Sequence, residues 1–125
     1  MIDFQNGSFV KLRHVNNAEA DALFSPLLLD GETIYMSFKG MRDMVVFTST
    51  RIISLNVQGV SGKKKDFTSL PYAKVQAWSV ETAGTLDIDA ELTLWLTGAG
   101  QVRFDFAGQV DVVYLSKLIA HYVLA

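Results

Sequence analysis

Four carboxylate side chains lie close together in the second half of the chain, at Glu81, Asp87, Asp89 and Glu91. Carboxylate oxygens bind calcium, and two carboxylates on opposite sides of a glycosidic bond can hydrolyse it. If residues 87–91 are extended, their three carboxylates share one face of a strand. The segment lacks the glycine turn and closing glutamate of a calcium loop, and carboxylates along one strand do not oppose each other. We therefore expect no metal or glycosidase site, and predict that Asp87 and Asp89 cap turns or pair with lysines of a neighbouring subunit.

Positive side chains are concentrated in one glycine-flanked segment and in one predicted loop between strands. They are Lys63, Lys64 and Lys65 in the segment, and Lys39 and Arg42 in the loop. Such side chains hold phosphate groups through charge-assisted hydrogen bonds, and each contributes about 1 kcal/mol near an anionic bilayer. Lysines also keep a strand edge soluble without binding anything. The pattern allows two interpretations, an anion-binding surface and a solvated loop.

No arrangement of residues in the sequence is typical of a catalytic centre. His14 and His121 are the only histidines, they are far apart in the sequence, and the chain has no cysteine. No serine occupies the glycine-flanked turn of a nucleophilic hydrolase, and residues 59–63 lack the glycine spacing of a phosphate-binding loop. We therefore expect a protein that is not an enzyme and that uses no cofactor.

Composition limits the class of protein. The chain has 125 residues, 50% of them hydrophobic, which suits a single domain over residues 1–125. Its net charge of −2 gives no reason to expect a nucleic-acid partner. The N-terminal segment does not resemble a signal peptide, and no apolar run reaches the ~20 residues of a membrane span. We expect a cytoplasmic protein.

Residue periodicity predicts a short helix, a series of strands and a second helix. Asn16 and Glu19 resemble a capping box, and Pro26 ends the helix that follows. From Glu32 onward apolar residues alternate as in strands, and beyond Gly108 they recur with a helical period. The predicted strands are 32–39, 44–48, 51–57, 66–70, 75–81, 90–97 and 101–106, between an N-terminal extension at 1–31 with a helix at 18–24 and a C-terminal helix at 108–124. This order predicts a mainly β fold, a small antiparallel barrel or orthogonal sandwich of about seven strands closed by the C-terminal helix.

Alternation also predicts which aromatic side chains face outward. Because Leu94 and Leu96 would face the core, Trp95 would face outward, and Tyr35 and Trp78 are candidates for the same outer surface. Trp and Tyr are enriched at protein interfaces, since each buries a large area and keeps a polar group. We predict a homo-oligomer with the following interface residues: Tyr35, Trp78, Trp95, Asp87 and Asp89.

The chain resembles the bacterial pleckstrin-homology-like domain family. The segments that carry the resemblance are Asp30-Gly31-Glu32, RDMVVFT at 42–48, Arg51-Ile52-Ile53, GKKKDF at 62–67, SLPYAKV at 69–75, SVETAGTLDIDAEL at 79–92 and Trp95–Gly98. They cover residues 17–124. The resemblance implies a pleckstrin-homology-like barrel and a tendency to self-assemble, rings included. It also implies that an anion site, if present, would use the loop at 39–43.

Two functions of different classes remain open. The first is a non-enzymatic scaffold that assembles into a homo-oligomer and binds a protein or peptide through its outer aromatic residues. The alternative is an adaptor for anionic membranes or phosphoinositides, which would use the cationic residues named above. The mass of the protein in solution and its binding to acidic vesicles distinguish the two.

Overall fold

A computed structural model describes residues 1–5 and 8–125 of the chain as eight strands and two α-helices. The strands are β1 (Ser8–Val15), β2 (Ile34–Lys39), β3 (Asp43–Thr48), β4 (Arg51–Gln58), β5 (Lys64–Pro71), β6 (Val75–Thr82), β7 (Ile88–Leu96) and β8 (Gly100–Gln109). The α-helices are α1 (Asn17–Phe24) and α2 (Val112–Val123), and short 3-10 turns lie at Ser25–Leu27 and Tyr72–Lys74. Among the described residues no helix is long and apolar enough to span a bilayer.

All eight strands form one curled sheet in the order β5-β4-β3-β2-β1-β8-β7-β6. Neighbouring strands are antiparallel except β1 and β8, which are parallel. The sheet is a half-barrel, because β5 and β6 at its two ends are not hydrogen-bonded to each other. The predicted mainly β fold with a C-terminal helix is confirmed, with one strand more than the sequence indicated.

The additional strand is β1, which lies within the predicted N-terminal extension. Its buried residues Phe9 and Leu12 are three positions apart, because a bulge at Val10 and Lys11 interrupts the alternation. Lys11 has a φ of 55°, in the left-handed region that a bulge residue often adopts. In the sequence Val10 and Leu12 alternate with Lys11 and Arg13 only briefly, and the bulge buries Phe9 with Leu12 while Val10 is exposed. The short, interrupted alternation is why the strand was not predicted.

The inner face of the half-barrel holds the larger core, which α2 covers. Its fully buried members include Phe38 on β2, Phe47 on β3, Phe104 on β8 and Leu115 on α2. Each such side chain contributes roughly 1.5–3 kcal/mol when it leaves water. The aromatic rings are in direct contact, with the Phe38 and Phe106 centroids 4.5 Å apart.

A second core lies on the outer face of β3 and β4, beneath α1. Ala20 and Phe24 of the helix pack there against four strand residues. The four are Met44, Val46, Ile53 and Leu55. Because β3 is covered on both faces, its centre is apolar without alternation. No helix in the described part of the chain covers the outer face of β6, β7 and β8.

Several element boundaries differ from the predicted ones. β8 continues through Gly108 to Gln109, so α2 begins at Val112 rather than at 108. The Asp111 carboxylate accepts a hydrogen bond from the Tyr114 amide and thereby caps the first turn. β5 begins at Lys64 and β7 at Ile88, so residues predicted to lie in loops belong to strands.

Glu32 joins the segment after α1 to the β3–β4 hairpin. Its carboxylate is 0% exposed and accepts hydrogen bonds from Arg51 Nε and Nη2, both at 3.0 Å. It also accepts from the hydroxyls of Thr48 at 2.6 Å and Thr50 at 2.7 Å, and from the Leu29 amide at 3.0 Å. Every carboxylate lone-pair direction therefore has a donor, which is the condition for a buried charge to stabilise a fold.

The pKa of Glu32 reflects this environment. Burial alone would raise it, but the hydrogen bonds from Arg51, Thr48, Thr50 and Leu29 outweigh burial and lower the pKa from 4.5 to about 2. Because the folded pKa lies below the unfolded one, the ionised carboxylate stabilises the fold fully above about pH 4.5. That contribution is lost as the pH falls toward about 2.

We predict that Glu32→Gln lowers the free energy of unfolding by roughly 3 kcal/mol at neutral pH, because Arg51 loses a buried partner. Urea unfolding followed by circular dichroism measures this. Glu19→Gln is the matched control. Its pair with Lys39 is exposed, so the loss should be below about 1 kcal/mol. Between about pH 4.5 and pH 2 the difference between the wild type and Glu32→Gln should shrink; a constant difference would contradict the role of the charge.

Candidate functional site

Tyr35 faces the chain's own C-terminal helix and not an outer surface. Its ring is half-buried and stacks on Tyr122 of α2 with centroids 6.1 Å apart, and the Tyr122 hydroxyl donates a 3.2 Å hydrogen bond to the Tyr35 hydroxyl. The register shifts between Ile34 and Met36, which turns Tyr35 away from the predicted face. The predicted outward placement of Tyr35 is therefore wrong.

Trp78 is also turned inward. The pairing of β6 with β7 shifts between Val75 and Ala77, so Trp78 packs against the inner core and is half-buried. A one-residue bulge exchanges the two faces of a strand. The predicted outward placement of Trp78 is wrong for the same physical reason as that of Tyr35.

Trp95 lies on the outer face, as the alternation of β7 predicts, and is 40% exposed. We call the outer face of β6, β7 and β8 the open face, because the described part of the chain places no helix over it. Each of its three rows takes one residue from β6, one from β7 and one from β8. The rows are Ala77–Trp95–Gln101, Ser79–Thr93–Arg103 and Glu81–Glu91–Asp105.

The third row of the open face places like charges side by side. Glu91 is directly opposite both Glu81 and Asp105, and Arg103 Nε lies 3.8 Å from one carboxylate oxygen of each of Glu91 and Asp105. Burial raises the pKa of Glu91, as do its hydrogen bond to Asp105 and the neighbouring negative charges, while Arg103 lowers it. One edge of the open face is therefore acidic, and its repulsion is only partly balanced.

Asp87 and Asp89 do not share a face. Asp89 has a φ of 43° at a bulge, and its carboxylate accepts a 2.7 Å hydrogen bond from the Gly108 amide. This bond holds β7 to β8 and leaves Asp89 with a structural role. Asp87 lies in the β6–β7 loop, with its side chain exposed. Within residues 1–5 and 8–125 no three His, Asp or Glu side chains are arranged to hold a metal ion.

The predicted cationic residues differ in what they contact. Lys39 pairs with Glu19 at 2.9 Å, so its charge is already balanced. Arg42 donates a 2.6 Å hydrogen bond from Nη2 to the Gly59 carbonyl, which joins the β2–β3 and β4–β5 loops. Lys63 lies in the second loop, whereas Lys64 and Lys65 lie on β5. All three lysines are exposed, and no hydrogen bond or ion pair with another described side chain engages them.

Two exposed apolar side chains accompany these cations. Met41 is 98% exposed in the β2–β3 loop, and Val60 is fully exposed in the β4–β5 loop. We call Met41, Arg42, Val60, Lys63, Lys64 and Lys65 the cationic tip. The sequence interpretation missed both apolar residues, because a single apolar residue in a loop has no period. Their position between glycine and charged residues was the only available signal.

A groove of about 540 Å³ opens where the β6–β7 loop meets the start of α2. Buried Met36 and Val110 form its floor, and exposed Leu86 and Val113 form its walls. Its polar lining consists of the carboxylates of Asp87 and Asp111 together with His14 and Gln109. The loop is fixed to the helix by hydrogen bonds from the Val110 amide to the Asp87 carbonyl and from the Val112 amide to the Leu86 carbonyl.

Comparison with known sequences gives one family over nearly the whole chain. The sequence pattern of the family described as "Bacterial PH domain" matches residues 3–123. The uncharacterised protein YjqA of Bacillus subtilis strain 168 is 40% identical over 119 residues, which cover 94% of this chain and 95% of that protein. The uncharacterised protein YozO of the same strain is 30% identical over 97 residues, 78% of this chain and 83% of that protein.

Comparison with solved structures gives the same result. A pleckstrin-homology domain protein of the DUF1696 family from Shewanella loihica PV-4 superimposes with a TM-score of 0.72 at 36% identity, over 91% of this chain and 98% of that one. A pleckstrin homology domain from Shewanella amazonensis SB2B gives a TM-score of 0.65 at 42% identity, over 89% and 90% of the two chains.

The acidic row of the open face leads to a prediction about stability. Glu91→Gln should raise the free energy of unfolding by roughly 0.5 kcal/mol at neutral pH, because it removes repulsion between directly opposed carboxylates. Chemical unfolding measures the change, with Glu19→Gln again as the control that loses an attraction instead. Since the folded pKa of Glu91 is raised, the gain should diminish as the pH falls through that pKa. A destabilised Glu91→Gln would show that Arg103 outweighs the repulsion.

Proposed function

Because this chain belongs to the bacterial PH domain family, we propose that it serves as a non-catalytic interaction module that assembles with further copies of itself. The pleckstrin-homology-like fold predicted from the sequence is confirmed by the two Shewanella structures. Domains of this family are generally not catalytic.

The observation that carries the proposal is the open face. The outer faces of the two halves of the sheet differ in how they are covered. α1 covers the outer face of β3 and β4, whereas Trp95 on β7 is exposed to solvent. A large aromatic side chain on an uncovered sheet gains free energy when a partner removes it from water. This favours contact with another protein over a purely solvated surface.

The free edge of β6 lies beside the open face and supports the same conclusion. β6 ends the sheet, so its second edge has no strand partner in the described part of the chain. The other end strand, β5, begins with two lysines and ends with Pro71, which discourage pairing with another chain. β6 has no lysine or proline and carries a single charged residue, Glu81. A second copy can therefore approach β6 more easily than β5.

We predict that the purified protein elutes as a multiple of its 13.8 kDa chain mass, and that Trp95→Glu lowers that mass, because a charge in the contact would lose hydration. Light scattering after gel filtration measures it at low and high salt. Leu29→Glu is the control, since Leu29 is also an exposed apolar residue but lies outside the sheet. A single-chain wild type would contradict self-assembly. An unchanged mass for Trp95→Glu would remove the open face from the interface.

A second candidate function is binding to an anionic membrane or a phosphoinositide headgroup through the cationic tip. The observation that favours it is the exposure of Met41 and Val60 beside three free lysines. Apolar side chains can enter the bilayer surface while lysines meet its phosphates. Lys39, which was predicted to take part, is already paired with Glu19 and contributes less to such a surface.

This second function predicts sedimentation with phosphatidylserine vesicles at low salt and release at high salt, because counterions screen exposed charges. Lys64→Gln with Lys65→Gln should weaken binding several-fold. The matched control removes the same charge at two exposed lysines elsewhere, Lys74→Gln with Lys117→Gln, and should bind as the wild type does. Equal binding by both double variants, or none at low salt, would exclude the tip as a lipid site.

A further inference from the structure

Four side chains of the open face form a two-by-two grid on neighbouring strands. Trp95 of β7 lies directly opposite Gln101 of β8, and Thr93 lies directly opposite Arg103. Alternate residues of a strand face the same side, so all four side chains project from the open face. The grid therefore presents an indole ring, an amide, a hydroxyl and a guanidinium to the same small area.

The grid is the floor of a pocket of about 360 Å³, which we call the open-face pocket. Ser8 of β1 lies beside Arg103 and lines the pocket together with Gln5, while Glu91 lines it from the next row of β7. Small-molecule sites have volumes of roughly 300–1,000 Å³. The open-face pocket shares no lining residue with the groove at the start of α2, so the two are separate sites.

The polar groups of the grid are available to a ligand. No hydrogen bond within residues 1–5 and 8–125 engages the indole N–H of Trp95, the side-chain amide of Gln101 or the hydroxyl of Thr93. The indole can only donate, whereas the amide and the hydroxyl both donate and accept. A matching ligand has several groups that also donate and accept, and an apolar surface to cover the indole ring.

Charge around the grid selects against anionic ligands. Arg103 Nε lies 3.8 Å from one carboxylate oxygen of each of Glu91 and Asp105, beyond hydrogen-bond distance. The guanidinium thus keeps its N–H donors for a ligand, although its charge is balanced. Glu81 adds a further carboxylate to the same row. One positive side chain faces three negative ones, so a phosphate, a sulfate or a uronate would be repelled.

We propose that the open-face pocket binds a neutral saccharide, with one sugar ring stacked on Trp95 and its hydroxyls bonded to Gln101, Thr93 and Arg103. The C–H face of a pyranose ring is apolar and gains free energy when it covers an indole. The hydroxyls at the rim of the ring donate and accept, as the grid requires. The inference goes beyond the proposed self-assembly and does not rest on it.

The test uses two neutral disaccharides, cellobiose and N,N′-diacetylchitobiose, because their equatorial linkages leave flat C–H faces. Saturation-transfer difference NMR shows which ligand protons contact the protein, and calorimetry gives the affinity. The wild type should bind at least one of them, with the strongest saturation on the C–H protons of one ring face. Trp95→Ala should weaken this binding by about ten-fold or more. Gln101→Ala, which removes one hydrogen-bonding group, should weaken it about three-fold.

Tyr114→Ala is the matched control for the loss of an aromatic ring. Tyr114 on α2 is 42% exposed and Trp95 is 40% exposed, but Tyr114 lies outside the open-face pocket. The control should bind the disaccharide as the wild type does. Absence of binding by the wild type to either disaccharide overturns the inference, as does an equal loss in Tyr114→Ala and Trp95→Ala.

Two further ligands test the chemical class. Cellobiuronic acid has two sugar rings like cellobiose but carries a carboxylate, so it should bind several-fold more weakly than the neutral disaccharide that binds. Equal or tighter binding of the acid overturns the argument from charge. Adenine offers a flat aromatic face without hydroxyls. Binding of adenine that exceeds that of both disaccharides and is lost in Trp95→Ala overturns the saccharide and assigns the pocket to an aromatic ligand.

Light scattering on the same samples keeps this site apart from self-assembly. A single-chain wild type that binds a disaccharide contradicts self-assembly alone, and a multi-chain wild type that binds neither contradicts the saccharide alone. If Trp95 lies between copies, a saturating disaccharide should lower the mass, because the sugar and the second copy need the same indole ring.

Discussion

The fold depends on the position of β1 between β2 and β8. β2–β5 form one run of antiparallel strands and β6–β8 another, and only β1 is hydrogen-bonded to both. Phe9 of β1 stacks on Phe104 of β8 with centroids 5.3 Å apart, and Leu12 is fully buried in the shared core. The bulge at Lys11 fixes this register, because it brings two residues three positions apart onto one face.

The sheet that β1 joins has two outer faces, one on β3 and β4 and one on β6, β7 and β8. In the described part of the chain the short helix α1 covers only the first of them. Asn16 caps α1, and the buried Glu32–Arg51 pair fixes the segment that follows it, so the helix stays over β3 and β4. The cost of burying Glu32 is offset by its five hydrogen-bond donor contacts. Because α1 is held over β3 and β4, the outer face of β6, β7 and β8 stays uncovered and Trp95 stays exposed.

The sequence predicted those parts of the fold in which alternation is unbroken. β7 alternates regularly from Ala90 to Leu96, so Trp95 was placed correctly, and the period of α2 was equally clear. Tyr35 and Trp78 were misplaced because each lies beside a shift of register that no local pattern reveals. β1 was missed for the same reason. The groove was not predicted, since it joins residues that are far apart in the sequence. The cations of the tip were named from the sequence, but the exposed Met41 and Val60 beside them were not.

The distribution of charge has a consequence that composition conceals. The net charge of −2 gives no reason to expect a nucleic-acid partner, and by itself it describes a nearly neutral protein. The sheet separates its charges, however, with free lysines at the β5 end and the row Glu81–Glu91–Asp105 at the β6–β8 end. Surfaces of opposite sign on one chain attract between copies and repel when like ends meet. A net charge near zero therefore conceals a run of lysines at one end of the sheet and an acidic row at the other.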